Sequence, residues 1–198
     1  RLNLLCGVEL GQATFDLEAA EKAAADTRLD YIIGSMHQAP GEYDFYFLDF
    51  SKQEMDIPKT ILAYYQEVYK LCRWGKFDTL AHLTYPLRYI EGDYGIQVDL
   101  KESREVIGEA LRLLAQKGKS LEINTSGYRQ KYGRPFPTLE YLRMYRELGG
   151  EMISLGADAH RTGDVAGGIS QGIELAKAAG FRYATYYRER KPQHILLP

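Results

Sequence analysis

The segment Gly156-Ala157-Asp158-Ala159-His160-Arg161 ends an apolar run with a carboxylate and an imidazole two residues apart. In an extended strand, residues at that spacing share a face. An oxygen and a nitrogen aimed at one point make half of a metal site. Three more apolar runs finish in the same kind of group: Leu4-Leu5-Cys6-Gly7-Val8-Glu9, Tyr31-Ile32-Ile33-Gly34-Ser35-Met36-His37 and Asp78-Thr79-Leu80-Ala81-His82. Glu9, His37, His82, Asp158 and His160 therefore form a candidate ligand set. Mixed imidazole and carboxylate donors suit Zn, Mn or Fe better than Ca or Mg. Five such groups exceed the three protein ligands of a simple catalytic zinc, so a cluster of two or more divalent ions is expected, with Glu9 the best candidate to bridge them. Clustered divalent ions activate water and neutralise an anionic substrate, as in phosphatases and nucleases.

The elements that must position these groups alternate between strand and helix. Strands are expected over 2–9, 31–35, 79–81, 120–124 and 152–157, each a short apolar run. Helices are expected over 17–26 (after the N-cap Asp16), from Asp56-Ile57-Pro58 to about Arg73, over 100–116, from Thr138 to Gly149-Gly150, and over 166–179. Gly118 and Gly180 read as helix stops, and 182–197 reads as a terminal hairpin. Between them, 38–55 is a long loop rich in aromatic and acidic residues, and loops of that length in compact domains are often functional. Repeated strand–helix units imply a parallel sheet. Ligands at four separate strand ends suit a (β/α) barrel, which aims every strand end at one axis, better than an open doubly wound sheet.

The bulk numbers are those of one domain. The chain has 198 residues, 45 % of them hydrophobic and 26 % charged, with a formal charge of −2. No basic block stands out, which argues against nucleic acid as the partner and leaves room for a small anionic one. No run reaches the ~18 apolar residues needed to span a membrane. Cys6 and Cys72 are isolated and read as reduced core residues of a cytoplasmic protein.

The ordered motifs Gly-Val-Glu, Gly-Ser-Met-His, Ala-His-Leu, Glu-Ile-Asn-Thr-Ser-Gly and Gly-Ala-Asp-Ala-His-Arg resemble the PHP (polymerase and histidinol phosphatase) superfamily over essentially the whole chain. The nearest likeness is to its histidinol-phosphatase branch. That resemblance implies a distorted seven-stranded (β/α)7 TIM-like barrel around a trinuclear metal centre. It also implies hydrolysis of L-histidinol phosphate to L-histidinol and phosphate, a late stage of histidine synthesis. By the same resemblance Glu9 is the bridging glutamate, and His37, His82, Asp158 and His160 match later ligand motifs, with Asp158 also a candidate proton handler. The family opens with a His-x-His motif and a further strand-borne His, which are absent here. The resemblance thus implies that the first two strands are lacking from residues 1–198 and that a preceding segment carries further His ligands. The 198 residues alone are expected to bind metal weakly and turn over little. His194, in the terminal hairpin, is expected to be no ligand.

Phosphate recognition calls for donors beside the ions, and the arginine fork matches phosphate oxygens. Arg88, Arg129 and Arg161, which follow His82, Asn124-Thr125-Ser126-Gly127 and His160, are the candidates. In the 38–55 loop, Glu42, Asp44 or Asp49 could meet an ammonium, and Tyr43 or Phe47 could stack on an imidazole. The loop reads equally well as a satellite core. Two rival functions remain open at this point. One is another phosphoesterase or nuclease of the same superfamily. The other is a barrel without metals that serves as a binding module. A related amide or lactone hydrolase is a weaker third.

Overall fold

The computed structural model describes residues 3–198. Five strands pair in parallel and in chain order: β1 (Gly7–Gly11), β2 (Tyr31–Ser35), β3 (Thr79–Leu80), β4 (Ser120–Asn124) and β5 (Ile153–Gly156). The helices that follow them are α1 (Leu17–Ala24), α2 (Ile57–Trp74), α3 (Arg104–Gln116), α4 (Leu139–Glu147) and α5 (Ile169–Ala178). From α2 onward each helix packs on the next. The winding never reverses, whereas an open doubly wound sheet reverses at its switch point. All the strand ends that carry candidate ligands therefore lie at one edge of the sheet. No helix among the described residues is long and apolar enough to cross a membrane.

Local chemistry explains the elements. Asp16 caps α1 by accepting the Ala19 N–H (3.0 Å), and Asp56 caps α2 by accepting that of Lys59 (3.1 Å), with Pro58 in the first turn. Gly118 (φ 60°) and Gly180 (φ 91°) end α3 and α5 in the left-handed region, where a glycine carries no Cβ penalty. Alternation along β4 sends Leu121 and Ile123 toward the helices and Ser120, Glu122 and Asn124 to the opposite face. Tyr64, Tyr65 and Leu71 of α2, with Ile107, Leu111 and Leu114 of α3, fill the helix-side core.

Strands β6 (Tyr183–Arg188) and β7 (Lys191–Leu196) form an antiparallel hairpin. Glu189 and Arg190 supply its two-residue turn with φ of 52° and 62°. That turn docks beneath the amino ends of the sheet. Asp30 accepts the backbone N–H of Glu189 through its carboxylate (2.9 Å) and that of Arg190 through its carbonyl (3.0 Å). The Arg190 guanidinium meets the buried Asp78 carboxylate, which also accepts the Ile32 N–H (2.8 Å).

Four expectations need correction. The first strand begins pairing only at Gly7 and runs on to Gly11, so Glu9 stands within it; Arg1 and Leu2 lie outside the described residues. Cys6, one residue before that pairing begins, is exposed and not in the core, whereas Cys72 is buried on the inner side of α2. The helix expected from 100 starts at Arg104, because residues 101–103 form a turn. Residues 157–160 are not extended strand. β5 ends at Gly156, and Asp158 sits at φ 48°, so a turn and not the alternation of a strand presents Asp158 and His160.

Candidate metal and phosphate site

Glu9 projects from β1, His37 follows β2 and His82 follows β3, so three neighbouring strands deliver one donor each. Glu9 Oε1 lies 3.1 Å from His37 Nε2 and 3.3 Å from His82 Nε2, and the two imidazole nitrogens are 3.2 Å apart. One carboxylate oxygen and two ring nitrogens, all within 4.8 Å of one another, match the donor set of a divalent transition ion. The other ring nitrogen of His82, Nδ1, is buried without a hydrogen-bond partner. Burial opposes the charge on Glu9, but hydrogen bonds with His37 and His82 overcome it and hold the carboxyl far below the usual carboxylate range.

These three groups open into a cavity of about 950 Å³ that Asp158 and His160 also line. The pair stands apart from the Glu9 cluster. His160 Nδ1 lies 3.0 Å from the Asp158 carbonyl oxygen and 3.5 Å from Oδ1, on an exposed turn. All five expected ligands thus face one cavity, with three in direct mutual contact. His194 lies elsewhere, on β7, with Nδ1 3.2 Å from the Thr185 hydroxyl.

The three arginines line the same cavity but differ in their commitments. Arg88 is half-buried, stacks over the Tyr89 ring at 5.1 Å, and has no carboxylate partner among the described residues. Arg161 is exposed at the mouth. Arg129 directs its donors at backbone: Nη2 to the Ala157 carbonyl (2.8 Å), Nη1 to that of Gly167 (3.2 Å), with Nε 3.4 Å from Asp164. It fastens the Asp158 turn from one side. Thr125 fastens it from another, donating its N–H to the Gly156 carbonyl (2.7 Å) and its hydroxyl to that of Gly167 (2.6 Å).

The 38–55 loop divides between the two readings of it. Phe45, Leu48 and Phe50 are buried as a satellite of the core, while Asp44, Tyr46 and Phe47 line the cavity. Glu42 lines a separate groove, and Tyr43 is exposed. Tyr85 ties this wall to the histidines. Its ring packs at 4.7 Å from that of His37 and 4.9 Å from that of His82. Its hydroxyl donates to Asp44 Oδ1 (3.0 Å) and lies 2.9 Å from that of Tyr89. Burial, with Tyr89 and Asp44 nearby, pushes the Tyr85 phenol far up, so it stays a donor. Tyr85 and Tyr89 escape the sequence reading, although their i, i+4 spacing on a helical turn was available.

Beneath His82, burial pushes the Glu122 carboxyl up to about 7, against the pull of the His82 charge. An unfolded glutamate titrates near ~4.3. Between those values the folded metal-free protein binds more protons than the unfolded chain, so stability falls as pH rises. Burial opposes the charge on His82, but Glu9 and Glu122 raise its pKa above the ordinary value, and the stability this adds is lost as pH rises beyond ~6.5. Glu9 acts in the opposite sense only below ~4.3. The metal-free protein is therefore expected to lose on the order of 2 kcal/mol of stability from pH 5 to pH 8. Urea unfolding across that range measures it, and a flat or rising profile contradicts it.

Imidazole and carboxylate donors brought together by three neighbouring parallel strands, in a cavity edged by arginine, mark an α/β protein with a candidate metal centre. Residues 1–126 match the PHP domain, and the chain belongs to that family. It is 34 % identical over 146 residues to a Thermotoga maritima protein named "Probable histidinol-phosphatase", covering 73 % of this chain and 60 % of that protein. It is 29 % identical over 187 residues to the histidinol-phosphatase of Lactococcus lactis, covering 91 % of this chain and 66 % of that enzyme. The crystal structure of the Lactococcus lactis histidinol phosphate phosphatase, complexed with zinc, L-histidinol and phosphate, superposes with a TM-score of 0.74 at 26 % identity. That alignment covers 96 % of this chain and 71 % of the other. The chain thus spans about two thirds of the length of these relatives.

Proposed function

We propose that this protein hydrolyses L-histidinol phosphate to L-histidinol and phosphate, as a metal-dependent phosphomonoesterase of histidine synthesis in the cytoplasm. The observation that carries the reading is the contact of Glu9, His37 and His82 inside a cavity also lined by Arg88, Asp44, Tyr46 and Phe47. The named relatives and the zinc-, histidinol- and phosphate-bound neighbour agree with it. Residues 1–198 are read as one domain whose five parallel strands belong to a distorted seven-stranded barrel.

Glu9, His37, His82, Asp158 and His160 would hold two to three divalent ions (Zn, Mn or Fe). Such ions supply Lewis acidity and positive charge beside the phosphate. The chain's own residues do the rest. Arg88 and Arg161 bind phosphate oxygens and offset the charge that builds on them. Asp44 meets the substrate ammonium, and Tyr46 and Phe47 flank its imidazole. Water attacks phosphorus in line with the ester oxygen and passes its proton to the Asp158–His160 pair, the P–O bond to the alcohol breaks, and the pair returns a proton to the leaving alkoxide. Arg129 holds the turn on which that pair sits.

The test is a panel of histidinol phosphate, other phosphomonoesters and oligonucleotide ends, assayed in the intact protein with zinc and after chelation. Histidinol phosphate is expected to give the highest kcat/KM, and chelation to abolish it reversibly. Preference for oligonucleotide ends would assign a nuclease instead, and undiminished turnover after chelation would overturn the metal role.

A further inference from the structure

Glu122 lies outside the cavity, yet its side chain touches both arms of the site. β3 stops at Leu80, so the His82 N–H has no strand partner to donate to. The buried Glu122 carboxylate, reaching up from β4, fills that gap: its Oε2 accepts the His82 N–H at 2.8 Å. The same oxygen lies 3.3 Å from the Asn124 amide nitrogen, which donates to it. Asn124 in turn accepts from the Ser126 N–H (3.0 Å) and hydroxyl (2.7 Å) and so is fixed itself. The second carboxylate oxygen presses on the end of β5. A Cβ at Gly156 would come within 2.1 Å of Glu122 Oε1. Gly156 is the glycine that admits this approach, two residues before Asp158.

We propose that Glu122 is the positioning residue of the metal centre, setting the His82 imidazole and the Gly156–Asp158 turn relative to one another. The proposal rests on the metal-site reading given above. Glu122 is not a ligand: it acts through the His82 backbone and the Gly156 α-carbon, and it explains why a carboxylate is buried in the otherwise small and polar inner face of β4. Supporting groups of this kind typically carry 10- to 100-fold of metal affinity.

The experiment measures zinc affinity of the intact protein by chelator competition, with the visible spectrum of the cobalt-substituted form as a readout of coordination and the melting temperature of the zinc-stripped form as a control. Glu122→Ala is expected to lose about 10- to 100-fold of zinc affinity and to shift the cobalt bands. Glu122→Gln keeps an acceptor for the His82 N–H and is expected to restore affinity to near that of the wild type. Wild-type affinity in Glu122→Ala, with only its melting temperature lowered, would reduce Glu122 to a strut and overturn the proposal. So would a Glu122→Gln variant as weak as Glu122→Ala. Should Glu122→Ala fail to fold, Gly156→Ala decides, since its Cβ displaces the carboxylate without altering its chemical identity: a comparable loss supports the proposal and unchanged affinity overturns it. A wild-type protein that binds no zinc would overturn the metal-site reading itself.

Discussion

Glu9→Gln is expected to lower both zinc affinity and histidinol phosphate turnover at least about a hundredfold, because groups that merely orient ligands already carry 10- to 100-fold. Glu9 is the one carboxylate among the described residues in contact with both His37 and His82. An amide keeps its size but replaces one acceptor oxygen with an NH2 donor and removes the negative charge that would balance divalent ions held there. The change leaves the apolar core untouched, so circular dichroism and the oligomeric state should match the wild type while zinc titration and steady-state kinetics collapse together. Retained affinity with lost turnover would move Glu9 from ligand to proton handler. Retention of both would remove it from the site.

Arg88→Ala should lower kcat/KM for histidinol phosphate about 10²- to 10³-fold, the range for removing a donor aimed at developing oxyanion charge, with zinc occupancy unchanged. Arg88 makes no ion pair among the described residues, and its guanidinium rests over Tyr89, at the cavity wall and free to take phosphate oxygens. The same truncation at Arg129 is expected to read out differently. Its donors already serve the Ala157 and Gly167 carbonyls on an exposed turn, and losing those bonds costs about 0.5–1.5 kcal/mol each. Arg129→Ala should therefore lower the melting temperature and loosen metal binding through Asp158. Measuring occupancy, melting and kinetics on both variants separates the two roles. Identical behaviour would show that this division is mistaken.

Much of this was legible in the residues. β2 and β4 coincide with the expected strands, and Asp16 and Asp56 cap the expected helices, because short apolar runs and capping side chains are local signals. The candidate ligands could be picked out since each follows or interrupts such a run. What the sequence did not disclose depends on long-range geometry. Arg88 and Arg129 look alike on paper, and only the approach of the Ala157 and Gly167 carbonyls distinguishes them. The aromatic loop was ambiguous because three consecutive rings divide, Phe45 turning into the core and Tyr46 and Phe47 toward the cavity. The resemblance brought Glu-Ile-Asn-Thr-Ser-Gly to notice, but Glu122 gained no role until its contacts with His82 and Gly156 were known. Asp158 reaches the cavity that Glu9, His37 and His82 line by a left-handed turn where simple strand alternation was expected.

The hairpin turn at Glu189 and Arg190 bears on how the molecule comes apart. Asp30 and Asp78 grip it at the floor of the sheet, joining stretches of chain 112 residues apart or more. Contacts of such long span form late, after costly loop closure, and they leave the early strands no means of peeling away alone. Melting should accordingly be cooperative across the sheet, with the amides of β2 among the slowest to exchange with solvent.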